Sequence, residues 1–135
     1  MISCKSSLFS PFLHADTSQI RYFLDIQHHP WLNTYFRTET TPPTVLYMIG
    51  NPLIAQTILR HDLRAGLHIP PRLLIQEKAD GKGTVVMYQL PSSVMVIPND
   101  EGGELRKAVE SLDKKLEALA KNIIGMELGQ VLNYS

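Results

Sequence analysis

Apolar residues recur along this chain with two different periods. Between residues 105 and 123, Leu105, Val109, Leu112, Leu116, Leu119 and Ile123 follow one another at intervals of three or four, so all six share one stripe of a helix. The opposite side of that helix is charged. Burying the stripe at roughly 1.5–3 kcal/mol per side chain contributes on the order of 10 kcal/mol before chain entropy is subtracted. No other segment anchors a fold as strongly. Asn99 or Asp100 is placed to cap this helix, and Gly125 is a natural stop. Glu110 with Lys114 and Glu117 with Lys121 stand in the favourable i,i+4 order.

Elsewhere the runs are shorter and read as strands. Residues 20–26 are aromatic and branched, and Ile20, Tyr22, Leu24 and Ile26 alternate onto one expected face. Residues 27–31 read as a strand end or turn, because Pro30 interrupts pairing and pushes His29 toward extended geometry. Threonines and prolines over 38–43 predict an extended connection. Residues 44–49 have the length and apolarity of a central strand. After it, Asn51 can cap a helix beginning at Pro52, with Ile54/Ile58 and Ala55/Leu59 repeating at helical spacing to about His61; Asp62 and Gly66 then end it.

Residues 72–77 and 84–90 form two strand patterns around Asp80-Gly81-Lys82-Gly83, a hairpin whose buried face the pattern does not choose. Pro91 closes the second strand, and residues 94–97 read as a short extended segment. Residues 126–135 are weakly patterned and read as a tail or a short added strand.

Composition narrows the function classes. The 135 residues suit one domain, and 44% hydrophobic against 19% charged residues lies in the folding range. Thirteen Lys+Arg balance thirteen Asp+Glu, which removes the basic excess of a phosphate-tracking protein, so nucleic acid is not an expected partner. Nothing approaches the roughly 20 continuous apolar residues that span a bilayer, so no membrane partner is expected either. A single cysteine, Cys4, makes no intrachain disulfide; a cytoplasmic location is the expectation. Cys4 has only Lys5 near it to activate a thiolate.

Histidines at 14, 28, 29, 61 and 68 are the side chains suited to acid/base or ligand work near neutral pH. Their spacing matches no metal motif, and neither a metal nor a cofactor is expected. Asp25 stands three residues before His28, close enough to orient the imidazole if the chain bends, a pair that serves as a general base inside a cleft. Against this stands the ordinary reading of His28 and His29 as a partly exposed turn. Gly50-Asn51-Pro52 reads either as an anion site at a helix start or as a structural cap, and lacks the glycines and lysine of a phosphate loop. Glu77 and Arg72 read as a solvated strand edge or ion pair.

The run from Tyr47 through Gly50-Asn51-Pro52 to Ala55, then Asp62, Gly66-Leu67 and Pro70 to Glu77, Asp80 to Thr84 and Tyr88 to Pro91, resembles the domain of unknown function 302 family. Upstream, Phe23 to Leu32 resembles that family's strand ending in an acidic residue and His. The resemblance covers residues 19–124 as a single domain, between an N-terminal segment at 1–18 and a C-terminal tail at 125–135. It implies an α+β fold of the TATA-binding-protein-like class, with helices packed on one face of a mainly antiparallel sheet, often associated as dimers, and no established activity. Many relatives begin with an additional strand and long helix, so it also implies a divergent or truncated version short of that first unit. Some relatives carry a cysteine near the position of Pro71, which argues against a thiol or metal-ligand role here.

Three functions follow as expectations. The first is a non-enzymatic, homodimeric binding domain holding a small apolar or anionic ligand between sheet and helix, near His28, Trp31, Asn51, Pro70 and Glu77. The second is a small enzyme using Asp25 and His28 for proton transfer, with Asn51 orienting the substrate. The third is an incomplete domain acting as an obligate dimer or interaction module through a bare sheet edge.

Overall fold

Five strands form one sheet in sequence order: β1 (Arg21–Gln27), β2 (Thr44–Gly50), β3 (Arg72–Glu77), β4 (Thr84–Gln89) and β5 (Gln130–Tyr134). The first four pair antiparallel, and β5 pairs parallel to β4. The computed structural model describes residues 20–96, 100, 103–127 and 130–134, with 126–127 and 130–134 as backbone only. The N-terminal segment expected over 1–18, with Cys4 and His14, lies outside them.

Cross-strand register builds the core face in rows. Val45 stands opposite Ile75 and Ile75 opposite Val86; one step along, Tyr47 stands opposite Leu73 and Leu73 opposite Tyr88. All six are buried. This settles the hairpin face: Leu73, Ile75, Val86 and Tyr88 turn inward, while Leu74 and Met87 turn outward and stay half-buried. The hairpin turn itself is built as its composition requires, with Gly81 and Gly83 at positive φ and the Asp80 carboxylate accepting from the Lys82 N–H at 2.8 Å.

The expected single apolar face of β1 is not what forms. Tyr22 pairs with Ile49 and Leu24 with Met48, so Phe23 is an extra residue in a bulge. Tyr22 therefore shares the core face, its ring edge-on to Tyr47 at 6.3 Å, whereas Leu24 and Ile26 follow Met48 and Leu46 onto the outer face. A period-2 pattern cannot report a bulge, because one inserted residue exchanges the faces beyond it.

The turn expected over 27–31 is instead the start of helix α1 (His28–Phe36). Pro30 is its third residue, where a missing N–H has no intrahelical acceptor to lose. Arg37 closes it in the left-handed conformation, with the Arg37 and Thr38 amides donating back to Thr34 and Asn33 carbonyls. None of its residues is buried.

Helix α2 (Pro52–Leu59) begins as expected: the Asn51 side chain accepts from the Leu53 N–H at 2.9 Å and Pro52 is the first helical residue. Gly66 does not end it but lies inside a 3-10 helix (Leu63–His68) capped by Asp62, which accepts from the Arg64 N–H at 2.8 Å. Hydrogen bonds from the Arg64 side chain and amide hold the Asp62 carboxyl below its ordinary value.

The extended segment expected over 94–97 is also corrected, since helix α3 (Pro91–Met95) takes its first two positions; Ile97 lies outside the described residues. The Ser92 N–H donates to the Asp113 carboxylate at 2.9 Å, a cap supplied from 21 residues away and so invisible to local reading.

Helix α4 (Glu104–Glu127) is capped by Asp100, which accepts from the Arg106 N–H at 2.9 Å. Leu105, Val109, Leu112, Leu116, Leu119 and Ile123 are all buried and join the sheet residues, Ile58 and Met95 in one cluster. On its outer side Lys121 reaches Glu117 at 2.8 Å, while Glu110 meets Arg106 rather than the expected Lys114. The helix runs through Gly125, whose cost of roughly 1 kcal/mol is small beside the anchorage of the stripe. The crossover then delivers β5 alongside β4, so the last residues, read as tail or strand, form a strand at Gln130–Tyr134. The result is the expected α+β fold with a mainly antiparallel sheet.

Leu116→Ala is expected to cost about 2–5 kcal/mol in urea unfolding, and Lys114→Ala on the outer side less than about 0.5 kcal/mol.

Candidate functional site

The residues expected to share one site lie at opposite ends of the sheet. Because β1 and β2 run antiparallel, His28 follows β1 beside the start of β2, whereas Asn51 follows the end of β2. Six residue steps of about 3.3 Å place them about 20 Å apart. Glu77, at the end of β3, belongs with the His28 end: its amide donates to the Pro43 carbonyl at 2.8 Å. Pro70 belongs with Asn51.

At the His28 end, Trp31 Nε1–H donates to His28 Nδ1 at 3.4 Å, and the two rings meet edge-on at 6.2 Å. Trp31 itself is exposed. Asp25 is engaged elsewhere, since its carboxylate accepts from the Tyr22 hydroxyl at 3.1 Å. Partial desolvation, and then that hydrogen bond, raise the Tyr22 phenol above its ordinary value. No hydrogen bond joins Asp25 to His28 among the described residues. His29 serves the fold instead, because its Nδ1 accepts from the Thr44 N–H at 3.1 Å and so ties α1 to the start of β2.

At the other end, a pocket of about 200 Å³ opens between the end of β2, helix α2 and the Ile69–Pro71 corner, whose Ile69–Pro70 peptide is cis. Ile54, Ala55 and Ile58 of α2 line one side, Pro70 and Pro71 another, and Leu112 of α4 contributes as well. The corner is fastened to the sheet by the Ile49 N–H, which donates to the Pro71 carbonyl at 3.0 Å. Close approach depends on Gly50. A Cβ there would meet the Phe23 ring at 3.3 Å, Pro71 at 3.6 Å and Pro70 at 3.8 Å. Among the described lining residues Asn51 is the only one whose side chain forms a strong hydrogen bond, and it is buried in its capping role. The structural cap is thus the reading of Gly50-Asn51-Pro52 that its geometry displays.

A second cleft, of about 300 Å³, lies at the end of the sheet where β3 begins and β4 ends, between outer-face side chains and helix α3, whose Pro91, Val94 and Met95 line it. Leu46, Leu74 and Met87 form its apolar floor, Arg72 and Gln89 stand at its polar end, and His68 closes it from the 3-10 helix. Sequence reasoning passed over it. Arg72 read as an edge charge, and His68 carried no motif; only the chain corner at Pro70–Pro71 brings the two together.

Both cavities, and every element from β1 to the end of the α4 stripe, fall within residues 14–123, which match the family model described as Domain of unknown function DUF302. The chain belongs to this family. No curated protein matches it. In this DUF302 chain the match ends at Ile123, so β5 lies beyond the matched span. Among the described residues no helix is long and apolar enough to cross a membrane, and no group of three His, Cys, Asp or Glu side chains is placed to hold a metal ion.

His29 ties α1 to β2 whereas His28 bonds within its own helix, so His29→Ala is expected to lower stability by about 1 kcal/mol in urea unfolding, and His28→Ala by less than about 0.5 kcal/mol.

Proposed function

We propose that this chain is a non-catalytic binding domain that takes a small apolar ligand in the pocket between β2, α2 and the Pro70–Pro71 corner. The observation that supports this most is the lining: aliphatic and proline side chains surround about 200 Å³, and the one amide among them caps a helix. Such a wall favours desolvation of a hydrocarbon and supplies no acid or base. Proton transfer by Asp25 and His28 has less support, since Asp25 is bonded to Tyr22 and His28 to Trp31 about 20 Å from this pocket. Indole is a suitable probe. Its addition is expected to shift the amide resonances of Gly50, Ile54 and Leu112, and Ala55→Leu, which fills the pocket from α2, is expected to abolish those shifts. Unmoved resonances, or undiminished binding by the Ala55→Leu variant, would reject the proposal.

A second reading concerns partners and rests on β1. Among the described residues no strand pairs with its outer edge, and Tyr22, Phe23, Leu24 and Ile26 along it are exposed, as are Trp31, Tyr35 and Phe36 on the adjoining α1. A second copy offers the same edge, so a two-fold pairing satisfies both sets of backbone groups, and a net charge of zero sets no long-range repulsion between copies. These exposed groups support β1 and α1 as the contact face of the proposed homodimer. Light scattering should give twice the chain mass for the wild type and the single mass for Leu24→Lys; a wild-type monomer counts against this reading.

A further inference from the structure

We infer that the outer-face cleft is a separate site for a small amphipathic organic anion, an aliphatic monocarboxylate. It goes beyond the apolar pocket, which shares only Pro71 with it among the described lining residues and differs from it in chemistry. Register sets the arrangement. Arg72 and Leu74 are two residues apart on β3, and Met87 and Gln89 two apart on β4, so each strand presents one polar and one apolar side chain to the same outer face. Leu74 stands opposite both Met87 and Leu46, which makes an apolar floor three strands wide. Arg72 and Gln89 lie together at the end of the sheet where β3 begins and β4 ends. The cleft is therefore polar at one end and apolar at the other, and its volume of about 300 Å³ is at the lower end of the range for small-molecule sites.

Two further observations give the polar end its sign. Among the described residues Arg72 makes no ion pair and no carboxylate lines the cleft, which leaves its guanidinium to an incoming anion. His68 Nδ1 is enclosed and has no hydrogen-bond partner among the described residues. An enclosed polar atom left unpaired is unfavourable, and in the Nδ1–H tautomer it donates to an acceptor placed in the cleft. A carboxylate satisfies both groups at once: one oxygen accepts from the planar guanidinium and the other from the imidazole. Its hydrocarbon chain then lies over Leu74, Met87 and Leu46, removing their half-exposed surfaces from water. An amine of the same length finds no anion among the described lining residues, and a fully polar anion leaves the floor uncovered.

Octanoate is the probe. Titrated into isotope-labelled full-length protein, it is expected to shift the amide resonances of His68, Arg72, Leu74 and Met87, whereas octylamine is expected not to. Arg72→Gln, at an exposed position, should keep the fold and weaken octanoate about tenfold through loss of a charge-assisted hydrogen bond. His68→Leu should weaken it as well. Ala55→Leu, which fills the other pocket, is expected to leave octanoate binding unchanged, so the two sites succeed or fail independently. Absence of shifts at Leu74 and Met87, equal binding of octylamine, or undiminished affinity in the Arg72→Gln variant would overturn the assignment.

Discussion

Everything in this structure depends on the packing of one helical stripe against one face of one sheet. The buried side chains of α4 lie over Val45, Tyr47, Leu73, Ile75, Val86 and Tyr88, and this contact removes the largest continuous apolar surface from water. It also decides what the other elements can do. Asp113, on the same helix, reaches the first turn of α3, and Leu112 reaches the pocket beside α2. The long crossover that α4 makes allows β5 to lie parallel to β4.

A sheet covered on one face leaves two kinds of surface for function. One is the seam where covering helices meet the sheet edge, and the apolar pocket lies there because Gly50 lets the proline corner and the Phe23 ring approach closely. The other is the outer face, where Leu46, Met48, Leu74 and Met87 are only half-buried. Their exposure gives the outer cleft its apolar floor. The edge strand β1 adds a third surface, and its bulge is the reason Leu24 and Ile26 face outward rather than into the core.

Antiparallel pairing also explains why His28 and Asn51 stand at opposite ends of the sheet. Asp25 and His28 are neighbours in sequence, but a strand-to-helix junction turns them to different partners, Tyr22 and Trp31. Asn51 and Pro70, far apart in sequence, come together because the loop before β3 returns to the end of β2. Proximity along the chain was a poor guide to proximity in space.

Much of the fold was legible because its signals are local. The α4 stripe, the Asn51-Pro52 start of α2, the glycine hairpin and the central apolar strand each follow from spacing, capping or turn chemistry within a few residues. The misread elements are those set by distant groups. Pro30 looked like a breaker until α1 was seen to begin two residues before it, and α3 is held by a carboxylate on another helix. The expected site divides into two pairs, His28 with Trp31 at one end and Asn51 with Pro70 at the other, while the His68–Arg72 cleft had no sequence signature at all. The sequence by itself determined the anchoring helix, the capped start of α2 and the hairpin, because period and local capping are properties of short segments, and its motifs carried the family resemblance that implied the α+β class. Only the tertiary structure decided the bulge that sorts β1 between two faces and the pairing of residues into cavities, because these depend on register and on contacts between segments remote in the chain.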